Sequence, residues 1–184
     1  MRSQAWWDIA RASGIVSWAL AALAVIGGLQ LSTRLLRRPA PAWMLDVHRF
    51  VGGLAVAFLG VHILGLSADR YISFTPADFL VPFASPYKPA AVALGVLAMY
   101  LLLAVEITSL LMRRIPRRHW HAIHLSSYVI YVTATVHGLT AGTDRHSAVF
   151  QWACLITAAL ILMMTLVRIW SPRAAARANA RQVP

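Results

Sequence analysis

Charge is scarce in this chain. Asp, Glu, Lys and Arg make up only 12% of its 184 residues against 59% apolar ones, which excludes an ordinary soluble globular domain. Cysteine is scarcer still: the single Cys154 excludes an intrachain disulfide and any cysteine-rich metal or iron–sulfur site. Lysine occurs once, as Lys88, while arginine and alanine abound, as in chains from GC-rich bacterial genomes. Acidic residues number six against seventeen basic ones, giving a net charge of +11. The arginines, however, cluster in short segments between apolar runs, where they fix orientation in a bilayer. No nucleic-acid partner is expected.

What remains is hydrophobic length. About 20 apolar residues cross a bilayer, and five stretches qualify: Ser13 to Leu36, Met44 to Leu66, Ala90 to Met112, Trp120 to Leu139 and Ala148 to Trp170. The expected fold is therefore all-α, an integral membrane bundle of five transmembrane helices. Its organisation reads as an interfacial segment over residues 1–12, a membrane domain over 13–170 and a basic tail over 171–184. The first run is longer than a signal-peptide core and no clear cleavage motif follows it, so it is expected to be retained. The connection from Ser67 to Pro89 carries four prolines among aromatic residues, and reads as an irregular lid.

Arginines follow the first, third and fifth spans (Arg34, Arg37 and Arg38; Arg113, Arg114, Arg117 and Arg118; Arg168, Arg173, Arg177 and Arg181). The other side carries Arg2, Arg11, Arg70, Lys88 and Arg145. By the positive-inside rule the amino terminus lies outside and the carboxyl terminus in the cytoplasm of a bacterial inner-membrane protein.

Four histidines lie inside the apolar stretches: His48 and His62 in the second span, His124 and His137 in the fourth. An intramembrane ionisable residue marks a functional site by default. At about 1.5 Å rise per residue, the members of each pair stand roughly 20 Å apart along their helix. The antiparallel spans then bring His48 level with His124 near the cytoplasmic face, and His62 level with His137 near the outer face. Two bis-histidine haems, one at each level between spans two and four, account for the pattern. Histidines that merely bond neighbouring helices are the plainer alternative, but four at matched depths would leave many buried rings to satisfy, at about 1 to 3 kcal/mol each. A non-haem metal centre needs converging ligands, which pairs so far apart do not supply. Gly52 and Gly53 after His48, and Gly138 after His137, offer room for a flat macrocycle.

One spacing is awkward. Fourteen residues return nearly to the same helix face, whereas the thirteen between His124 and His137 leave their side chains roughly 140° apart on an ideal helix. Tilt, a π-bulge, or approach from different flanks would each resolve it. His121 is the competitor to His124, while His119 and His146 read as interfacial. Arg34 and Arg49 are placed to neutralise the carboxylates of the inner haem, and Arg70 or Arg145 those of the outer one. Glu106, the only acid well inside a span, reads as the partner of a basic side chain.

The paired spacing, together with Trp120-His121-Ala122-Ile123-His124-Leu125-Ser126-Ser127-Tyr128 and His137-Gly138, resembles the ferric reductase-like transmembrane domain superfamily. That group includes NADPH oxidases, ferric reductases and the haem subunit of the periplasmic methionine sulfoxide reductase system. The resemblance implies two b-type haems (iron) passing single electrons from the cytoplasmic to the outer side, with His48, His62, His124 and His137 as axial ligands. It matches the thirteen-residue spacing as well. No G-x-G-x-x-G fingerprint is present, so the expected donor is a separate flavoprotein or a quinol. The sequence leaves the acceptor open among a ferric chelate, oxygen, quinone and a periplasmic protein, and the chain reads as an electron-transfer component of an oxidoreductase set in membrane lipid. The rival readings are a haem subunit dedicated to one periplasmic reductase, and a haem-free structural or transport protein.

Overall fold

Small residues determine how these helices approach one another. Hydrocarbon drives no helix association by itself, so stable contact in a bilayer needs close backbone packing and interhelical hydrogen bonds. The first helix supplies both, through a stripe containing Ala10, Ser13, Gly14, Ser17, Ala21 and Ala22, all of them buried except half-buried Gly14.

The computed structural model describes residues 2–33, 41–69, 72 and 74–180, and every regular element among them is helical. In chain order these are α1 (Arg2–Thr33), α2 (Ala42–Ala68), α3 (Pro76–Leu80), α4 (Pro89–Leu110), α5 (Arg117–Leu125), α6 (Ser127–Ala141) and α7 (Ala148–Ala180), with a 3-10 turn at Thr143–His146. Four of them contain segments long and apolar enough to cross a membrane: Gln4–Ser32, Ala42–Ala68, Pro89–Leu110 and Ala148–Trp170. The chain is a multi-pass membrane protein.

The fifth expected span, Trp120 to Leu139, is not one helix. It divides at Ser126 into α5 and α6. The cause is local: Ser126 N–H and Oγ both turn back to the Ile123 carbonyl (3.0 and 2.6 Å), a tight i to i+3 closure that ends α5. Helix α6 alone, at 15 residues, is about 22 Å long and falls short of a hydrocarbon core of about 30 Å. Helix α5 leaves Arg117, Arg118, His119 and His121 exposed and turns Ile123 and His124 inward, the pattern of an interfacial helix. At the amino end the expected interfacial segment is continuous with α1, and at the carboxyl end α7 runs on through Ala180. The end of the first expected span, at Leu36, lies outside the described residues.

Helix α1 is the hub. It packs along α2 over most of its length and also meets α6 and α7, while α4 pairs with α6. Its Trp18, Ala22, Val25 and Leu29 form one core with Tyr131 of α6 and with Phe150, Cys154, Ile161 and Met164 of α7. Polar ties cross this bundle, among them Ser17 Oγ to the Ala55 carbonyl (2.9 Å), Trp18 Nε1 to Thr135 Oγ1 (2.9 Å), and the Tyr131–Thr157 hydroxyl pair (2.7 Å). Large side chains such as Leu64, Val149 and Trp152 face outward, into what would be lipid.

Helices α1 and α2 approach closely at Gly65, where a β-carbon would stand 3.0 Å from both the backbone nitrogen and the Cβ of Ala10. Backbone cannot swing aside as a side chain can. Replacing Gly65 with Val is therefore expected to force α1 from α2 and cost about 1–3 kcal/mol by overpacking. A thermal melt in detergent should show a clearly lowered midpoint for Gly65→Val; an unchanged midpoint would mean that this contact is not tight in solution.

Candidate functional site

Each Cα–Cβ bond on a helix leans toward the amino end, so the side chain at i+4 lies over the carbonyl of residue i. A glycine at i+4 uncovers that carbonyl for a group on a neighbouring helix. The histidines use this opening. His62 Nδ1 lies 2.7 Å from the Ala10 carbonyl, and a β-carbon on Gly14 would stand 2.8 Å from the same nitrogen. His137 Nδ1 lies 2.7 Å from the Ala91 carbonyl, and a β-carbon on Gly95 would come within 2.7 Å of the ring.

A carbonyl only accepts, so in both rings Nδ1 carries the hydrogen and donates it. Nε2 is then the ring's free coordinating nitrogen, oriented by a fixed partner behind it, as in metal-ligating histidines generally.

His48 follows the same plan less tightly. Its ring packs on Gly28 of α1, where a β-carbon would be 3.3 Å from Cε1. The Ala24 carbonyl is its backbone neighbour, but Nδ1 is buried short of a regular hydrogen bond. Fourteen residues separate Gly14 from Gly28, and fourteen separate His48 from His62; the two antiparallel helices thus repeat one contact at two depths. His124, on α5, approaches Ser109 Oγ at 3.5 Å and stacks on Trp120 with ring centres 4.9 Å apart. The indole Nε1 of Trp120 is buried with no acceptor among the described residues.

The histidines come together as two pairs. His48 and His124 have ring centres 6.0 Å apart. Two imidazoles on opposite sides of one metal, each nitrogen about 2 Å from it, would have centres about 6 Å apart. His62 and His137 both line a cavity of about 210 Å3 whose walls include Trp18, Leu59, Met99, Ile130 and Phe150. The cavity exists because α2 is held mainly by α1 and α6 mainly by α4, which keeps their histidine faces apart. Two imidazoles leave a metal with unfilled positions. Each pair therefore suits a metal that arrives in a flat macrocycle, and the apolar walls suit the macrocycle itself.

Several expected contributors sit elsewhere. Gly52 receives the Glu106 carboxylate, whose Oε2 would be 2.9 Å from an added β-carbon. Glu106 makes no ion pair among the described residues, so its expected basic partner is not found there. Gly138 lines the cavity but is backed by the Phe150 ring at 3.0 Å. The glycines that face histidines lie instead on the neighbouring helices. Their signal was in the sequence, as the matched fourteen-residue intervals.

Of the two inner candidates it is His124 that faces His48, with His121 exposed beside Trp120. Arg49 is exposed and stands 3.9 Å from Asp46. Arg145 is turned to His146 Nε2 (3.0 Å) rather than toward the cavity. Arg34 and Arg70 lie outside the described residues.

Arg11 was not anticipated at this site. It lines the cavity at its amino-terminal end and bonds both oxygens of Asp144, Nε to Oδ2 at 3.0 Å and NH2 to Oδ1 at 2.7 Å. This fork clamps α1 to the 3-10 turn that follows α6. The hydrogen bonds from Arg11 hold the Asp144 carboxyl below its usual range.

Comparison with known proteins adds one match. The profile of the family described as ferric reductase like transmembrane component aligns with residues 13–135. No match was found among curated proteins or among solved structures.

A carboxyl whose native pKa is depressed stabilises the fold above its unfolded value, about 3.9, and that contribution disappears as pH falls through the native value. Asp144→Asn is accordingly expected to melt below the parent at pH 6–7, by an amount fitting a partly exposed pair of about 1 kcal/mol or less. The gap should close on acidification below about pH 4. Melting curves at several pH values check this, and a gap that widened in acid would contradict it.

Proposed function

The chain belongs to the ferric reductase-like transmembrane family, and from that premise we propose that it is a transmembrane electron conduit holding two haem b groups. His48 and His124 would hold the group at one level, and His62 and His137 that at the other. The observation that carries this reading is the pair of 2.7 Å bonds from His62 and His137 to backbone carbonyls, on rings that line one cavity. Haem iron held between two imidazoles would supply a one-electron redox centre suited to electron transfer.

The protein does the positioning. The Ala10 and Ala91 carbonyls fix which nitrogen of each ring carries hydrogen and how the ring is turned. Gly14 and Gly95 keep the rings against the backbone. Trp18, Met99, Ile130 and Phe150 keep water from the cavity, lowering the local dielectric. Arg11 and Arg49 are cations near the two levels, able to meet anionic edges of a bound group, and Arg34 is the further candidate at the inner level.

With the amino terminus outside and the carboxyl terminus in the cytoplasm of a bacterial cell, electrons run outward. An inside-negative potential assists that direction by about 2.3 kcal/mol per 100 mV. The donor is a separate flavoprotein or a quinol, and the acceptor is ferric iron or a periplasmic protein.

The purified chain should show two low-spin b-type spectra per polypeptide in oxidised and reduced scans, with haem content near two. His62→Ala and His137→Ala should each bring this toward one, with loss of the same spectral component. Gly95→Val should do likewise with both histidines intact. A folded, colourless preparation from haem-replete cells would overturn the proposal, as would His62→Ala with both haems retained.

A further inference from the structure

The segment between α2 and α4 reads in the sequence as a loop outside the membrane, yet one hydrogen bond sets it at a different depth. Tyr100 Oη donates to the Leu80 carbonyl at 2.7 Å. Tyr100 lies eleven residues into α4, about 16 Å below that helix's first residue. A helical side chain covers the turn on its amino-terminal side, which puts the hydroxyl, and Leu80 with it, about 10 Å below the start of α4. Gly95, against which His137 packs, is at nearly that depth. The chain therefore leaves α2, dips beside α4 to the level of the cavity, and climbs back to Lys88.

The dipping part is built for hydrocarbon on one side and for the cavity on the other. Residues 79–87 contain no charged side chain. Leu80, Val81 and Phe83 are 54%, 53% and 69% exposed, whereas Phe74, Asp78, Phe79 and Tyr87 line the cavity. Phe83 holds φ at +67°, a conformation that is sterically costly for a bulky residue, and there it turns the chain with its ring outward.

Buried polar side chains of the dip find partners within the protein, as lipid requires. Asp78, itself buried, accepts from Thr75 N–H (2.6 Å) and Thr75 Oγ1 (2.8 Å), and buried Ser85 faces the same carboxylate. Lys88 closes the return by donating to the Thr140 carbonyl (2.9 Å).

We propose that residues 76–87 form a re-entrant element whose Leu80–Phe83 tip is buried among lipid acyl chains, and that this element is the lateral wall separating the cavity from the bilayer. The partner of the surface is lipid, not a soluble protein. Depth decides this: a soluble partner would have to enter the bilayer by about 10 Å to reach the tip. The proposal is independent of what the cavity binds.

The full chain reconstituted in phosphatidylcholine vesicles tests it, because Cys154 is buried and the parent should label slowly. Phe83→Cys and, separately, Val81→Cys are compared with His146→Cys in the exposed 3-10 turn, using a charged, membrane-impermeant maleimide. We expect both tip cysteines to react at least tenfold more slowly than Cys at position 146, and a nitroxide on either to be relaxed more by oxygen than by a water-soluble nickel chelate. Labelling of either tip cysteine as fast as the position-146 control, in a variant that elutes and melts like the parent, overturns the proposal. Should Phe83→Cys fail to fold, Val81→Cys decides alone, since Val81 lacks the unusual backbone conformation.

Discussion

A histidine ring inside hydrocarbon must give its N–H to an acceptor, and almost every acceptor in a helical bundle is a carbonyl already engaged in its own helix. A carbonyl oxygen has a second lone pair, but the side chain four residues on normally covers it. Where that residue is glycine an imidazole can reach in. The contacts of His62 with Ala10 and Gly14, and of His137 with Ala91 and Gly95, are two solutions of this one problem. They fix more than two rings: each sets the register of a helix pair, α1 with α2 and α4 with α6. Once those pairs are set, their remaining histidine faces stand apart across a cavity.

The rest of the molecule is arranged around that gap. Helix α1 stays close to α2 because Gly65 admits Ala10, and it reaches α6 and α7 through Trp18 and the core around Tyr131. The gap is crossed at one end by the Arg11–Asp144 fork and walled at the side by the aromatic residues of the segment joining α2 to α4. None of these contacts supplies the pairing itself. They keep water and lipid from a space that the two helix pairs create.

Much of this was legible in the residues. Four of the expected spans coincide closely with helices able to cross the bilayer, because hydropathy over 20 residues is a summed signal that one exception does not spoil. The histidine levels followed from helical rise alone. What escaped was relational. Periodicity tells which face of a helix a residue occupies but not which neighbour that face meets, so Gly52, one turn after His48, proves to face Glu106, and the contacts of Gly14, Gly28 and Gly95 with histidines on other helices went unread. The break at Ser126 was equally hidden, since Leu125-Ser126-Ser127 carries neither glycine nor proline. The dip of residues 76–87 was hidden because prolines and aromatics mark irregular chain without giving its depth.

That break bears on the spacing that an ideal helix could not accommodate. Thirteen residues rotate a side chain to the wrong flank only if one helix runs uninterrupted between them. Here His124 belongs to α5 and His137 to α6, so the regular rotation of one uninterrupted helix does not apply across Ser126. The cost falls on His124, which no longer shares the helix pair that gives His137 its backbone carbonyl. Its ring is held by stacking on Trp120 and a long approach to Ser109, and His48 opposite it lacks a regular Nδ1 bond. One level is thus built into the backbone of two helix pairs and the other depends on side chains at an interfacial helix. Ligand basicity rises with the hydrogen bond behind the ring, so a metal held at the two levels would meet rings of different basicity.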